Sequence, residues 1–254
     1  MSAVRAVELP VQAGDGHRWI VQARIPEAPT ASLTWLPALG VAARHYLPFA
    51  QALARRGVAV FVHEWRGNGA SSLRASRAHD WGYREVLTLD LPASEAAIVE
   101  ILPDVTRIIG GHSLGGQLAA CRLGLAPDAA QALWLVASGS PYWRTYPRPH
   151  RYWLLLASRL LPWLARVNGV LPGRLVRFAG NEARRLIGDW AHTARCGSYA
   201  AAHLDVDLEA RLATIEVPVR TVLLADDWLT PESSLRFLLS KFPRSPALVM
   251  TLDA

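Results

Sequence analysis

The sequence predicts a doubly wound α/β domain built on a mostly parallel sheet. Short apolar stretches typical of buried strands alternate with amphipathic stretches typical of helices. A Gly-x-Ser-x-Gly pattern lies between one such strand and one such helix. The 254 residues, 51% of them hydrophobic and 19% charged, suffice for one large core, so we expect a single domain that carries an insertion.

The predicted elements begin with a hairpin. Residues 4–9 and 17–25 alternate between polar and apolar, and the turn Ala13-Gly14-Asp15-Gly16 joins them. Further strands are predicted at 33–36, 58–62, 105–109, 132–137, 219–225 and 247–252. Helices are predicted at 45–56, 87–102, 114–125 and 232–239. This alternation of strands and helices is the basis for the predicted parallel sheet.

Residues 140–203 break the alternation and predict a helical cap inserted into the sheet domain. Amphipathic helices are predicted there at about 152–167 and 181–194. Residues 1–139 and 204–254 would then form the core, with the cap over the carboxyl edge of the sheet. The alternative is a pair of ordinary packing helices. The large aromatic residues of this stretch would either favour an apolar acyl group or pack inside the cap: Trp143, Trp153, Trp163, Phe178 and Trp190.

Ser113 is the predicted nucleophile. The run Gly111-His112-Ser113-Leu114-Gly115 follows the predicted strand at 105–109 and opens the predicted helix at 114–125. Glycine is needed on both sides of the serine because a sharp strand-to-helix turn leaves no room for a Cβ atom. The helix amino terminus beside the serine is electropositive, which suits a developing oxyanion. The alternative is a glycine-rich connection in some other α/β protein.

Three further patterns accompany this turn. They are Leu36-Pro37-Ala38-Leu39-Gly40-Val41 followed by Arg44-His45-Tyr46, then His63-Glu64-Trp65-Arg66-Gly67-Asn68-Gly69-Ala70-Ser71, and Asp226-Asp227-Trp228-Leu229-Thr230-Pro231. Together the four patterns resemble α/β hydrolases of the serine aminopeptidase-like, S33-type group, in a bacterial branch with a Trp-rich cap. The resemblance covers nearly the whole chain and implies the α/β-hydrolase fold. Glu64 stands where this group usually has aspartate, in a turn that we interpret as structural.

The resemblance also implies roles for single residues. Ser113 would attack the substrate, and the backbone N–H groups of Leu114 and Val41 would form the oxyanion hole. Gly111 and Gly115 would shape the turn around the serine. Asp227 would orient an imidazole and stabilise it when charged, with Asp226 as its rival. The alternative for Asp227 is a loop-capping role before the helix at 232–239.

The general base is missing from its expected place. The resemblance implies a histidine after the last strand, but no histidine follows Asp227. The sequence is truncated relative to an active relative, or another histidine substitutes, or the scaffold binds a ligand without turnover. His45, His192 and His203 are the possible substitutes, although a lone histidine in such places is more often a packing or surface residue. We expect an impaired enzyme, since losing the base costs on the order of a millionfold in turnover.

Truncation would have a second consequence. The strands at 219–225 and 247–252 would keep uncovered apolar side chains, which predicts self-association through that face of the sheet.

The expected substrate is a small-molecule carboxylic ester and, less so, an amide or peptide, because no acidic cluster in the cap offers to hold a free α-amine. No cofactor or metal is expected, since the sequence lacks a dinucleotide-type glycine loop and metal-ligand spacing. The net charge of +6 comes from arginines that look scattered, so nucleic acid is not an expected partner. The cluster from Arg144 to Arg151 predicts a solvated surface, with a membrane or an acidic ligand as alternatives. With neither a signal peptide nor a membrane-spanning segment predicted, we expect a cytoplasmic protein.

Overall fold

The computed structural model describes residues 3–176 and 179–253. Its main sheet has eight strands in the order β1-β2-β4-β3-β5-β6-β9-β10. The strands are β1 (Val4–Gln12), β2 (Arg18–Pro26), β3 (Ala31–Leu36), β4 (Val58–Val62), β5 (Thr106–His112), β6 (Ala132–Val136), β9 (Val219–Leu224) and β10 (Ala247–Leu252). A separate pair consists of β7 (Leu171–Pro172) and β8 (Asn181–Glu182). β2 is antiparallel to both of its neighbours, β1 and β4, and all the other neighbouring strands of the main sheet are parallel. The predicted doubly wound, mostly parallel sheet is therefore confirmed.

Helices connect the strands on both faces of the sheet. They are α1 (Leu47–Ala54), α2 (Tyr83–Glu85), α3 (Leu91–Ile101), α4 (Leu114–Leu125), α5 (His150–Asn168), α6 (Gly173–Val176), α7 (Arg184–Cys196), α8 (Leu208–Leu212) and α9 (Glu232–Leu239). The helix predicted at 87–102 begins earlier, at α2, and passes through a π-helical turn, Val86–Asp90, before α3. The helix predicted at 181–194 begins later, because residues 181 and 182 pair with β7 instead. Short 3₁₀ turns are formed by Ala43–Tyr46, Pro127–Ala129 and Trp143–Thr145.

The central strands are buried on both faces. β3 and β4 are almost entirely apolar and inaccessible, as expected for strands covered by helices on either side. α4 packs behind β5 with ten of its twelve residues buried, among them Leu118 and Cys121. The strand that carries Ser113 is therefore held in the middle of the core.

The insertion at 140–203 packs on the carboxyl edge of the sheet. The Asp189 carboxylate, on α7, accepts hydrogen bonds from the backbone N–H of Tyr83 at 2.8 Å and of Ala202 at 3.0 Å. The N–H of Leu186 donates to the carbonyl of Trp81. These contacts join the insertion to the segment before α3. The division into core and cap stays a prediction.

A buried polar network holds the turn after β4. The Arg66 guanidinium pairs with both oxygens of Asp90, at 2.6 and 2.7 Å, and with Asp15 at 2.7 Å. Asp90 also accepts from Nδ1 of His17, whose Nε2 lies 3.0 Å from the Ser71 hydroxyl. Buried charges are tolerated when they are paired in this way, so the Arg66 turn has the structural role expected for it.

The strands at the far edge differ in burial. Val219 and Leu223 of β9 are buried, but every residue of β10 is exposed, including Leu248 and Met250. The expected uncovered apolar side chains are thus found on β10 and, in β9, at Leu224. Self-association through this face stays a prediction. Within the described residues, no helix has both the length and the apolar character needed to cross a membrane.

His63, at the end of β4, is a buried histidine that predicts acid sensitivity. Burial lowers its pKa to about 4, and its Nε2 has no hydrogen-bond partner among the described residues. At pH values between about 4 and the unfolded-state pKa of about 6.5, the imidazole of His63 is protonated in the unfolded chain but neutral in the folded protein. The stability of the fold therefore falls as the pH falls through this range.

We predict that His63→Phe weakens this acid sensitivity. On going from about pH 7 to about pH 4.5, the variant should lose about 2 to 3 kcal/mol less unfolding free energy than the wild type. Urea denaturation at both pH values measures the difference, with His45→Phe as the control because His45 is exposed. Equal pH dependence in the wild type and His63→Phe would contradict the prediction.

Candidate active site

Ser113 lies in a strained turn between β5 and α4. Its backbone has φ 53° and ψ −120°, a conformation that non-glycine residues rarely adopt. A Cβ at position 111 would overlap backbone atoms of Gly115 and Gly116, and one at 115 would overlap the carbonyl oxygen of Leu36. The glycines have the steric role predicted for them. The turn places Ser113 at the carboxyl edge of the sheet, at the amino terminus of a helix.

The backbone around Ser113 offers unoccupied hydrogen-bond donors. Among the described residues, no hydrogen bond uses the N–H of Leu114, while the N–H groups of Gly116 and Gln117 donate to the Ser113 carbonyl. The N–H of Val41, the predicted second oxyanion donor, already donates to the Ala38 carbonyl at 3.1 Å. The Val41 N–H could donate to an oxyanion only if that turn opened and this bond broke. The residue pattern did not indicate the bond.

Leu39 offers a better second donor. Its N–H has no hydrogen-bond partner among the described residues, and its side chain shares a small cavity with Leu114. The carbonyl groups of Leu36 and Pro37, just before it, lie against Gly115 of the serine turn. The oxyanion loop therefore meets the serine turn at Leu36 and Pro37, and Leu39 is a candidate donor beside Val41.

Tyr46 joins the oxyanion loop to the serine turn. Its hydroxyl accepts a hydrogen bond from the Ala38 N–H at 2.9 Å and lies 2.8 Å from Nδ1 of His112. Burial lowers the pKa of His112, although the charge of Asp227 opposes this. We therefore assign a neutral imidazole whose Nδ1 accepts the tyrosine proton. Sequence reasoning gave Tyr46 no role, because nothing in the residue pattern shows that its ring turns back towards His112.

Glu64 supports the same loop from the side of β4. Its two carboxylate oxygens accept hydrogen bonds from the N–H groups of Ala43, at 3.1 Å, and Ala70, at 3.3 Å. Burial raises its pKa, and these hydrogen bonds act in the opposite direction. The glutamate thus ties the start of the 3₁₀ turn after the oxyanion loop to the turn after β4.

The loop after β9 reaches the serine turn through the end of β6. The Ser138 hydroxyl donates to the Ser113 carbonyl at 2.9 Å, and the Thr230 hydroxyl donates to the Ala137 carbonyl at 3.0 Å. The N–H of Thr230 in turn donates to the Asp227 carbonyl. These contacts link the loop that carries Asp227 to the serine turn, and the placing of Ser113 and Asp227 on one rim stays a prediction.

Asp227 is half-buried and Asp226 is exposed. One oxygen of Asp227, Oδ1, accepts the N–H of Leu229 at 2.9 Å, and no other hydrogen bond or ion pair reaches its carboxylate among the described residues. The bond caps the loop before α9, as the alternative interpretation of Asp227 proposed. The second oxygen remains available to a partner.

The predicted substitute bases do not reach the serine. His192 lies 3.4 Å from the Ser198 hydroxyl, while His45 and His203 are exposed. Within the described residues, no side chain forms a hydrogen bond with the Ser113 hydroxyl. The structure therefore gives no support to His45, His192 or His203 as the general base.

Glu182 is an acidic residue of the insertion that sequence reasoning missed. It lies in β8, is 97% buried, and accepts one hydrogen bond, from the Gly180 N–H at 3.0 Å. Burial raises its pKa to about 7, against the smaller effect of that bond. It shares a cavity of about 10 Å³ with the oxyanion-side residues Leu39 and Leu114. The sequence feature that could have drawn attention to Glu182 is that it is the first acidic residue after Asp128.

The large aromatic residues of the insertion differ in burial. Trp190 is buried, Trp143 is half-buried, and Trp153 and Trp163 face solvent. Phe178 lies outside the described residues. The expectation that Trp153 and Trp163 pack inside the cap is therefore wrong, because both side chains are exposed, while their contribution to an acyl site stays a prediction. No group of three or more potential metal ligands occurs in the described parts of the chain.

Comparison with known proteins identifies the family. A profile described as "Serine aminopeptidase, S33" matches residues 27–247, which is most of the chain. The chain belongs to the S33 serine aminopeptidase family. The α/β-hydrolase fold expected from the sequence is confirmed by this match and by the sheet order. No curated protein sequence matches the chain.

Solved structures of other proteins share this fold. The DcsB complex with its substrate analogue has a TM-score of 0.66 at 15% identity, covering 99% of this chain and 90% of that one. A lipase in an open form has a TM-score of 0.65 at 16% identity, covering 99% and 91%. A hydrolase from Pseudomonas aeruginosa has a TM-score of 0.59 at 19% identity, covering 98% and 91%. At these identities the similarity establishes the fold alone.

We predict that Tyr46→Phe impairs Ser113 without unfolding the protein. Losing the hydroxyl frees Ala38 and His112 and loosens the oxyanion loop, so phosphonylation of Ser113 should slow about tenfold. The measurement is the labelling rate with a fluorophosphonate, alongside thermal unfolding. Tyr152→Phe is the matched control, because Tyr152 is exposed on α5. An unchanged labelling rate in Tyr46→Phe would remove Tyr46 from the site.

Proposed function

We propose that this chain is a serine hydrolase that cleaves a carboxylic ester through an acyl-Ser113 intermediate. The observation that carries the proposal is the strained backbone of Ser113 beside the unoccupied N–H of Leu114. Strain of this kind persists only where the surrounding structure enforces it, and it is concentrated at functional sites. Membership of a hydrolase family supports the same reaction class.

In the proposed reaction, the Ser113 hydroxyl attacks the ester carbonyl and gives up its proton to a base. The negative charge that forms on the carbonyl oxygen is stabilised by the N–H of Leu114 and, in this proposal, by the N–H of Leu39. Collapse of the tetrahedral intermediate releases the alcohol, and water then hydrolyses the acyl-serine. No described side chain forms a hydrogen bond with the Ser113 hydroxyl, so its proton would pass to water, and turnover would be impaired as expected from the missing histidine.

An ester is the favoured substrate because the site offers little to an extended peptide. The cavity beside Leu114 is small and mostly apolar, with Leu39, Trp65, Trp81 and Leu186 in its wall. Its free volume has room for about one water molecule, which leaves no space for a peptide chain. An amide or peptide substrate is the less favoured alternative.

A second candidate function is ligand binding without turnover. The specific observation in its favour is that no described side chain forms a hydrogen bond with the Ser113 hydroxyl. A serine without a base is a weak nucleophile at neutral pH. On this alternative, the same pocket would hold a small molecule that the protein does not cleave.

Active-site labelling tests the proposal. A fluorophosphonate probe should label the wild-type chain and leave Ser113→Ala unlabelled, because the probe reports on an activated serine. Ser240→Ala is the matched control, since Ser240 is an exposed serine at the end of α9. Equal labelling of the wild type and Ser113→Ala would show that Ser113 is not the nucleophile. Absence of labelling in every variant would favour binding without turnover.

Glu182 predicts a pH effect on the same reaction. Above its pKa of about 7 the carboxylate is charged and lies in the cavity that Leu39 and Leu114 line, where it opposes the negative charge of the oxyanion. The ratio of the wild-type labelling rate to that of Glu182→Gln should therefore fall about tenfold as the pH rises through this value. Glutamine keeps the acceptor for Gly180. A ratio that does not change with pH would show that Glu182 does not act on the oxyanion.

A further inference from the structure

Helix α5 carries a stripe of large apolar side chains on its outer face. Trp153, Leu156, Leu160, Trp163 and Val167 follow one another at spacings of three and four residues, so they lie along one side of the helix. All five are exposed, Trp153 to 65% and Trp163 to 60%. A continuous apolar stripe of this size on a protein surface marks an interaction site.

The stripe is not needed for the fold. The opposite side of α5 packs towards α7 and buries Ser158, Pro162 and Ala165. Leu161 and Leu164 pack against the same core. The helix therefore has two apolar sides, of which only the inner one is covered within the described residues.

Charge identifies the kind of partner. Between Asp128 and Glu182 the sequence has no acidic residue and seven arginines. The rest of the chain has 20 basic and 21 acidic residues, so this one segment accounts for the whole net positive charge. Arg159 and Arg166 project from α5 beside the apolar stripe and have no ion-pair partner among the described residues. The positive charge of this segment thus comes from the absence of acidic residues, while the arginines themselves are scattered along the whole chain, as expected.

We propose that the outer face of α5 docks on an anionic phospholipid surface. An amphipathic helix with tryptophan and leucine on one side and arginine at its margin binds at the boundary between headgroups and acyl chains. Nucleic acid offers no apolar counterpart for Leu156, Leu160 and Val167. A symmetrical contact between two copies would bring together two segments whose charged residues are all arginines. Like-charge repulsion opposes such a contact.

The stripe continues towards the catalytic rim. The Tyr146 hydroxyl, just before α5, donates to the Leu229 carbonyl at 2.8 Å, and the His150 ring lies 5.0 Å from that of Trp228. Trp228 and Leu229 are themselves exposed and follow Asp227 in the chain. Docking through α5 would therefore bring the loop that carries Asp227 close to the lipid surface. The proposal stands on the surface of α5 and is independent of ester hydrolysis.

Vesicle binding by the full chain tests the proposal. In sedimentation, the wild type should bind vesicles of equimolar phosphatidylcholine and phosphatidylglycerol, bind phosphatidylcholine alone far less, and be released by salt. The double variant Trp153→Ser with Trp163→Ser should bind about tenfold more weakly, because two interfacial anchors are lost. The matched control, Leu248→Ser with Met250→Ser, removes two side chains of similar exposure on β10 and should bind like the wild type.

A second measurement needs no variant. Brominated lipid in the anionic vesicles should quench the tryptophan fluorescence of the wild type, because Trp153 and Trp163 would enter the acyl region. Lack of binding to the anionic vesicles, or equal loss of binding in both double variants, would overturn the proposal. So would a wild-type dimer in solution that the Trp153 and Trp163 changes dissociate, since the stripe would then be a contact between copies.

Discussion

The close approach of two backbones is the constraint on which the rest of this structure depends. The first turn of α4 lies so near the end of β3 that a side chain at position 115 would overlap the Leu36 carbonyl. This contact forces Ser113 into its strained conformation and sets the oxyanion loop beside it. The loop is then held by Tyr46, through Ala38 and His112, and by Glu64, through Ala43. Strain at the serine is therefore sustained by packing and hydrogen bonds contributed by β3, β4 and the turn after the oxyanion loop.

The insertion acts on the site from the other side. Gly40 has φ 75°, and any Cβ there would overlap the backbone of Ala179 and Gly180, so the insertion lies directly against the oxyanion loop. The same segment delivers Glu182 to the cavity beside Leu114. A buried carboxyl with a pKa near neutrality at this place gives the site a charge that changes within the physiological range. The outer face of the insertion has a different chemistry, apolar along α5 and basic at its margin. One inserted segment thus has an inner side that lines the cavity beside Leu114 and an outer side that is apolar and basic.

The serine turn, the buried strands and α4 were predictable because each rests on local sequence. Glycines at fixed positions, short β-branched runs and helical spacing report on contacts within a few residues, and the structure has β4, α4 and β10 at the predicted bounds. The second oxyanion donor was assigned to Val41, but the bond from its N–H to Ala38 is a property of the turn that the loop adopts. The helix predicted at 181–194 began too early, since the pairing of β8 with β7 depends on a contact across ten residues. The packing predicted for the tryptophans of α5 was wrong because residue type shows that a side chain is apolar, but it does not show which side of a helix stays exposed.

By itself, the sequence determined the α/β class, the mostly parallel sheet implied by the alternation of strands with helices, and the sharp turn that carries Ser113. These follow from steric exclusion at glycines and from the periodicity of apolar residues, both of which are local. Only the tertiary structure decided which N–H groups are free, that Tyr46 bridges Ala38 and His112, that Glu182 is buried near Leu114, and that α5 exposes its apolar stripe. Each of these depends on residues distant in the chain meeting in space, because burial and hydrogen-bond partners are set by the neighbours that folding supplies.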